Sequence, residues 1–289
     1  MKNIPLVAIV GPTASGKSDL AMEIAKRFNG EIIAADSRTV YKGLDIGSAK
    51  PTKADQKQIP HHLIDVVTPD NVYTAADFKK DATRAIESIG ARGRVPIMVG
   101  GTGLYIDSVL FDYQFTAKPD TAKREALSKL SLTDLQELAR NIGIVEDEIN
   151  FKNRRHLQRA VEAGSVIKPD YKLRENTLVI GITVPREVLK KRISDRIDAM
   201  VKTGLIEEVT GLVDAYGYEN EAMTGIGYRA IGSYLKNELS LDEAIAMFKR
   251  GDYLLAKRQM TWFKRNKYIH WVDDVNNSVG LVTSFLNKK

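Results

Sequence analysis

Eight residues constrain the fold of this chain more than any other stretch. Gly11-Pro12-Thr13-Ala14-Ser15-Gly16-Lys17-Ser18 fits G-x-x-x-x-G-K-[ST], the spacing of a phosphate-cradling loop. Before it, Ile4 to Val10 is a short apolar, β-branched run that reads as a buried strand. After it, Asp19 to Phe28 carries apolar residues at helical spacing, and Asn29-Gly30 reads as a stop. Strand, glycine loop and helix are the context the motif needs, because loop N–H groups and a helix N-terminus together bind an anion. Something with phosphates binds here, and a nucleoside triphosphate is the first ligand such a loop suggests.

Two further strands bring chemistry to the same edge. Glu31 to Ala35 reads as a strand that delivers Asp36-Ser37 at its C-terminal end. In open α/β sheets the ligand crevice lies just beyond the carboxyl ends of the strands. The polar, glycine-rich stretch from Arg38 to Pro51 then reads as a functional loop. His61 to Asp65 is a short strand or edge, and Thr74 caps a helix that runs to Ala91 and stops at Gly93. Arg94 to Val99 is the next buried strand, ending in Gly100-Gly101-Thr102-Gly103. A double glycine there lets backbone approach a ligand closely, and the helix from Leu104 to Leu110 points its N-terminus at the crevice. An α/β fold with a parallel sheet flanked by helices follows.

The pattern changes between 116 and 174, where helical periodicity dominates and Ser131 reads as a cap. We read 116–174 as a small helical insertion in a core formed by 1–115 and 175–289. Thr177 to Ile182 returns to the sheet, Pro185 to Met200 is a helix with Arg192 and Arg196 on one face, and helices fill the remainder.

Composition limits the chemistry. The chain has no cysteine and only four histidines, which excludes disulfides, thiolate metal sites and a cysteine nucleophile. No apolar run reaches membrane-spanning length, and the first strand follows the N-terminus too closely for a targeting peptide, so a cytoplasmic location is expected. The net charge of +6 is concentrated: seven Lys/Arg against two acidic residues in 152–174, and seven against one in 245–270. Such windows on a phosphate-binding scaffold suggest a polyanionic partner such as nucleic acid, or else solvated helix faces.

At this point the sequence resembles a known family, the tRNA dimethylallyltransferases or isopentenyl-tRNA transferases. The likeness rests on the loop Gly11–Ser18, Ala35-Asp36-Ser37, Val40 to Pro51, His61 to Asp65, Tyr73 to Phe78, Val99 to Tyr105, Gly225-Ile226-Gly227-Tyr228 and Ala256 to Phe263, in family order. The resemblance implies a fold like that of P-loop NTPases and kinases, with the insertion gripping a tRNA anticodon stem-loop. It implies transfer of a dimethylallyl group from dimethylallyl diphosphate to N6 of the adenosine 3′ of the anticodon, by a monomer. The diphosphate would lie on Gly11, Thr13, Ala14, Ser15, Gly16, Lys17 and Ser18, with Ser18 helping to hold Mg2+. Asp36 would accept the proton of the amine, Thr102 would orient it, and Lys17 and Arg196 would steady the leaving diphosphate. Arg196 could also be a surface ion pair. Asp36, Ser37, Arg38, Thr39 and Thr102 would meet the target nucleotide. Arg155, Arg159, Lys257, Arg258 and Lys264 would hold RNA backbone or remain solvated charges.

The chain departs from the family pattern in places. Thr39 replaces a usual Gln, Lys152 and His156 replace an Asn and an Arg of the insertion motif, and the insertion is short. Two other activities use a similar loop. A small-molecule kinase would need a carboxylate at a strand end, which Asp36 or Asp65 could supply. An adenylate isopentenyltransferase would act on free nucleotide, with no need for a basic insertion.

Overall fold

The computed structural model describes residues 4–115, 121–166 and 171–287. They form two compact units, Met1–Leu110 with Leu173–Lys289, and Phe111–Lys172. The larger unit opens with β1 (Leu6–Val10), α1 (Lys17–Arg27), β2 (Gly30–Ala35), α2 (Lys53–Gln58), β3 (His61–His62), α3 (Ala75–Ala91), β4 (Val95–Gly100) and α4 (Gly103–Leu110). The smaller unit holds α5 (Thr121–Lys129), α6 (Leu132–Asn141) and α7 (Arg154–Ala163). The chain then returns through β5 (Thr177–Ile182), α8 (Arg186–Lys202), α9 (Leu205–Tyr216), α10 (Ile226–Leu235), α11 (Leu241–Phe263), β6 (Ile269–Val272) and α12 (Val275–Leu286).

The strands form one sheet in the order β3-β2-β4-β1-β5-β6, and every pairing is parallel. Every residue of β1 is buried, as the middle of a parallel sheet covered by helices requires. Val7, Ile9, Ile32, Ile97 and Ile180 pack with Leu20, Ala21 and Ile24 of α1 and Val282 of α12 in one core cluster. Local signals end the elements where the residues predict. Asn29 takes a left-handed φ of 49° just after α1. Thr74 and Asp77 form a reciprocal capping box at the start of α3.

The smaller unit has its own core. Leu135 and Ala139 of α6 and Leu157, Ala160 and Val161 of α7 pack with Leu127, Ile144 and Phe151. Ser131 caps α6 through a second reciprocal box with Asp134. This unit begins at Phe111 and ends at Lys172, so Arg174 stands in the larger unit, where its guanidinium donates to the Ile4 carbonyl. Thr116, the expected first residue of the insertion, lies outside the described residues.

One strand escapes sequence reading. The C-terminal region was expected to be helical, yet Ile269-His270-Trp271-Val272 pairs in parallel with β5. Four residues are too few to establish a period, and the partner is ninety residues away in sequence. Gly181 makes room for this edge: a Cβ there would lie 2.4 Å from Ile269 and 2.6 Å from Trp271. Among the described residues, no helix is long and apolar enough to cross a membrane.

The glycine after β4 sets a tight constraint on the sheet. A Cβ on Gly100 would sit 2.0 Å from the Ala35 carbonyl oxygen, which is backbone and cannot swing aside. Gly280 in α12 is exposed, with nothing within 4 Å of an added Cβ. Gly100→Ala is therefore expected to destabilise by about 1–3 kcal/mol or more through overpacking. Gly280→Ala is expected to stabilise by about 0.5–1 kcal/mol through helix propensity. Urea denaturation of the two variants beside the parent checks both signs.

Candidate active site

Parallel pairing aligns the ends of three strands. Ala35 of β2 is level with Gly100 of β4, and Gly100 is level with Val10 of β1. The residues that follow are Asp36, Gly101-Thr102 and the loop starting at Gly11, so one ladder row places all three at one edge. The Ser37 N–H donates to Thr102 Oγ1 at 3.1 Å, and the Thr102 N–H to the Ala35 carbonyl at 3.3 Å. Asp36 Oδ1 accepts the Arg38 N–H at 2.7 Å in a tight local turn. The Thr102 hydroxyl, accepting from Ser37, keeps its hydrogen for a further acceptor.

These residues line a cavity of about 440 Å³ together with Thr13, Arg196, Asp252, Gln259 and Arg258. Leu104, Met200, Phe248, Leu255 and Trp262 supply apolar lining. A second cavity, about 690 Å³, runs along Ala14–Ser18 and the start of α1, with Arg192 and Arg196 of α8. Arg196 borders both. Its Nη2 donates to Thr13 Oγ1 at 2.7 Å and to Asp252 Oδ2 at 2.6 Å, while its buried Nε has no partner. Arg196 is therefore no surface ion pair; it is held against the phosphate loop by a carboxylate that is itself buried. Burial raises the Asp252 carboxyl above its ordinary value, and the Arg196 guanidinium opposes that rise.

Gly16 of the loop has a φ of 89°, and Ala14 one of 60°, so the loop doubles back on itself. Lys17 Nζ donates to the Pro12 carbonyl at 3.2 Å. Burial lowers the Lys17 ammonium to a pKa of about 8, with Asp36 opposing the shift and Arg196 adding to it. The Ser15 hydroxyl is buried without a partner. A half-buried cation, an orphaned hydroxyl and an orphaned guanidinium N–H around one loop form a set of donors suited to an anion.

The glycines at 101 and 103 line the 440 Å³ cavity and also make room for side chains of α11. Gly101 leaves space for the Gln259 side chain, whose Nε2 would be 2.4 Å from an added Cβ. Gly103 leaves space for the Trp262 indole at the same 2.4 Å. Gln259 joins two walls of the site: Oε1 accepts the Thr13 N–H at 2.8 Å and Nε2 donates to the Gly101 carbonyl at 3.0 Å. Trp262 Nε1 donates to Asp107 at 2.7 Å. Gln259 and Asp252 were not singled out by sequence reading; their spacing on α11 resembles any amphipathic helix until α11 is packed.

Other expected contacts distribute unevenly. Ser37 and Arg38 line the 440 Å³ cavity, but Thr39 does not: it is buried, and its hydroxyl has no partner. The Arg38 guanidinium donates to the carbonyls of Glu221 and Ala222 and to Thr224 Oγ1, so it braces a wall of the cavity and is not a free cation. Lys257, Arg258 and Lys264 are exposed along α11 and just beyond it, and Lys257 and Arg258 share a shallow groove with Arg265 and Trp262. Arg155 and Arg159 are exposed on α7 of the smaller unit. Partial desolvation, then the positive charges of Arg155 and Arg124, lower the pKa of Arg159. Asp65 pairs with Lys50 at 2.5 Å and lines neither cavity, so it does not offer the carboxylate a kinase reading would use.

A family model described as IPP transferase matches residues 39–266. The chain belongs to the IPP transferase family. Among relatives of this IPP transferase family member, the tRNA dimethylallyltransferase of Macrococcus caseolyticus is 41% identical over 286 residues, spanning 94% of this chain and 92% of the relative. The crystal structure of a tRNA delta(2)-isopentenylpyrophosphate transferase from Staphylococcus epidermidis superposes with a TM-score of 0.76 at 38% identity, covering 99% of each chain. A eukaryotic dimethylallyltransferase, solved in crystallographic snapshots of its action on tRNA, gives a TM-score of 0.82 at 25% identity over 98% of this chain and 77% of that one.

The half-buried Lys17 makes the loop sensitive to pH. Lys17 is a cation below about 8 and becomes neutral as pH rises through that value. Affinity for inorganic pyrophosphate, read by calorimetry, is expected to fall above pH 8 in the parent protein. The Lys17→Met variant should bind more weakly throughout and lack this Lys17-dependent fall.

Proposed function

We propose that this member of the IPP transferase family transfers a dimethylallyl group from dimethylallyl diphosphate to N6 of the adenosine 3′ of the anticodon in tRNA. The observation that carries the reading is the joint placement, in one cavity, of Asp36, Thr102 and Arg196 beside Thr13 of the anion loop. The names of its relatives support it. So does the separation of the two cavities by Arg196, with a diphosphate donor on the loop side and an acceptor base on the Asp36 side.

The chemistry follows from the groups present. The N6 lone pair of adenine is delocalised into the ring, which makes the amine a poor nucleophile. A bond forms from N6 to the terminal allyl carbon while the carbon–oxygen bond to diphosphate breaks, and the electron pair leaves with the diphosphate. Asp36 accepts the proton released from N6; its Oδ1 already holds the Arg38 N–H, and among the described residues Oδ2 has no donor. Thr102 orients the amine. Loop N–H groups from Gly11 to Ser18, with Lys17 and Arg196, stabilise the charge that develops on the diphosphate. Met200, Phe248 and Leu255 give the dimethylallyl group an apolar surface.

A Mg2+ ion fits this site as part of a metal–diphosphate complex. Among the described residues no group of three or more His, Asp or Glu side chains could hold a metal. Mg2+ retains waters and takes phosphate oxygens from its substrate, so one protein oxygen is enough. Ser18, in the first turn of α1, would supply that hydroxyl. Bound there, the ion would neutralise charge on the leaving group.

The target base is stacked in an RNA loop and must be drawn out to reach Asp36, as base-modifying enzymes generally require. Ser37 and Arg38 line that entry. Lys257 and Arg258 on α11, Lys264 just beyond it, and Arg155 and Arg159 on α7 are exposed cations available for RNA phosphates.

Purified protein with Mg2+, labelled dimethylallyl diphosphate and an adenosine-bearing anticodon stem-loop is expected to yield N6-prenylated RNA. Label on free AMP, or phosphorylation from ATP without prenyl transfer, would overturn the reading. Asp36→Ala should slow transfer by about 10²–10⁴-fold while RNA affinity changes little; a rate near the parent's removes Asp36 from the mechanism. RNA affinity should fall steeply with salt as phosphate contacts release counterions, and Lys257→Ala with Arg258→Ala should flatten that slope by about two. A filter-binding titration across salt concentrations measures it.

A further inference from the structure

Glu208, in the first turn of α9, is not among the residues that line either cavity. Its carboxylate nonetheless accepts four hydrogen bonds. Oε2 takes the N–H groups of Asp45 at 2.9 Å and Ile46 at 2.6 Å. Oε1 takes the Gly47 N–H at 3.0 Å and the Tyr228 hydroxyl at 2.8 Å. Three successive N–H groups turned to one point make a concave anion seat, and here an internal carboxylate fills it.

Two of its four donors, Gly47 and Tyr228, line the acceptor cavity. Gly47, Ser48 and Ala49 form one part of its wall, and Gly225 to Tyr228 form another. The two parts fit closely: a Cβ on Gly47 would be 2.8 Å from Tyr228 Cζ and 2.9 Å from Leu205 Cδ1. Beyond these, the Ser48 backbone N–H also meets the Tyr228 hydroxyl, and among the described residues the other hydrogen bonds of 44–49 run locally, between Leu44 and Lys50. Glu208, with the Tyr228 hydroxyl it holds, is thus the hydrogen-bond anchor that joins this loop to the body of the larger unit. Burial and the Glu208 charge raise the Tyr228 hydroxyl well above its ordinary pKa, so it remains a donor to the carboxylate.

We propose that Glu208 is a positioning residue for the transfer reaction, latching the 45–47 loop and Tyr228 together and so setting the width of the cavity that receives the acceptor nucleotide. The inference rests on the acceptor reading of that cavity given above. A neutral amide cannot replace the carboxylate. Glutamine offers one acceptor oxygen and turns an NH2 group toward N–H donors, so part of the latch becomes a donor–donor clash. Misplacement of a cavity wall by about 1 Å can cost on the order of 100-fold in rate.

The test uses the full chain with Glu208→Gln and, independently, Tyr228→Phe, which keeps the ring and removes one of the four bonds to Glu208 together with the hydroxyl that the Ser48 N–H meets. In Glu208→Gln, kcat/KM for the anticodon stem-loop is expected to fall about 10–100-fold, while KM for dimethylallyl diphosphate stays within about twofold. Hydrogen exchange at the amides of Asp45, Ile46 and Gly47 should accelerate, with the loop amides of Gly11–Ser18 unchanged. Tyr228→Phe should move the same quantities in the same direction by a smaller factor, and it decides the matter if Glu208→Gln does not fold. Faster exchange at 45–47 with parental transfer to RNA would overturn the proposal. So would an equal loss on the diphosphate side, which would mark general loosening. Failure of the parent itself to prenylate RNA would instead strike the transfer reading, and the exchange data would still report whether the latch exists.

Discussion

A single ladder row governs where chemistry can occur in this protein. Ala35, Gly100, Val10 and Gly181 stand level across four parallel strands. Parallel strands all present their carboxyl ends at one edge, so the residues just beyond the row converge whatever their distance in sequence. Asp36, Thr102 and the Gly11 loop meet for that reason. The row tolerates no bulk at Gly100, whose neighbour is the Ala35 carbonyl. A shift of β4 by one position would carry Thr102 away from Ser37 and break the only side-chain hydrogen bond that joins those two turns among the described residues.

Charge is organised around the same edge. Lys17, Arg196, Asp252 and Asp36 influence one another, and two of them are displaced in opposite senses by burial: the lysine becomes less basic and the Asp252 carboxyl less acidic. Removing charged groups from water is costly unless each finds a partner. Asp252 holds Arg196, but Arg196 Nε and Ser15 Oγ keep unmet donors. Unmet donors beside a cationic lysine form a set suited to an anion. That is a different electrostatic design from Glu31, buried at the start of β2, whose carboxylate is fully engaged by His62, Arg92 and Arg94.

Helices from distant parts of the chain complete what the sheet begins. α11 contributes Asp252, which holds Arg196 of α8, Gln259, which reaches the Gly11 loop, and Trp262, which reaches Asp107 of α4. α8 contributes Arg196, and α9 and α10 contribute Glu208 and Tyr228. The glycines at 101 and 103 serve this packing, because they admit the Gln259 and Trp262 side chains while lining the cavity. The anion loop is thereby attached to β4 through a side chain nearly 250 residues away in sequence.

The sequence by itself determined the parallel α/β core, the phosphate loop, and Asp36 and Thr102 at strand ends, because these signals are local: a glycine spacing, an apolar run, a cap. It also carried family membership, because motif blocks keep their order along the chain. It could not determine β6, whose four residues owe their strand form to the open edge of β5. Nor could it show that Arg38 braces Glu221 to Thr224, that Thr39 is buried off the cavity, or that Arg196 sits on Asp252. Those outcomes depend on which long-range partner a polar side chain finds once water is excluded, and residue type alone does not specify a partner. The tertiary structure decided them, because a buried donor or acceptor must be matched by whatever the fold brings within about 3 Å.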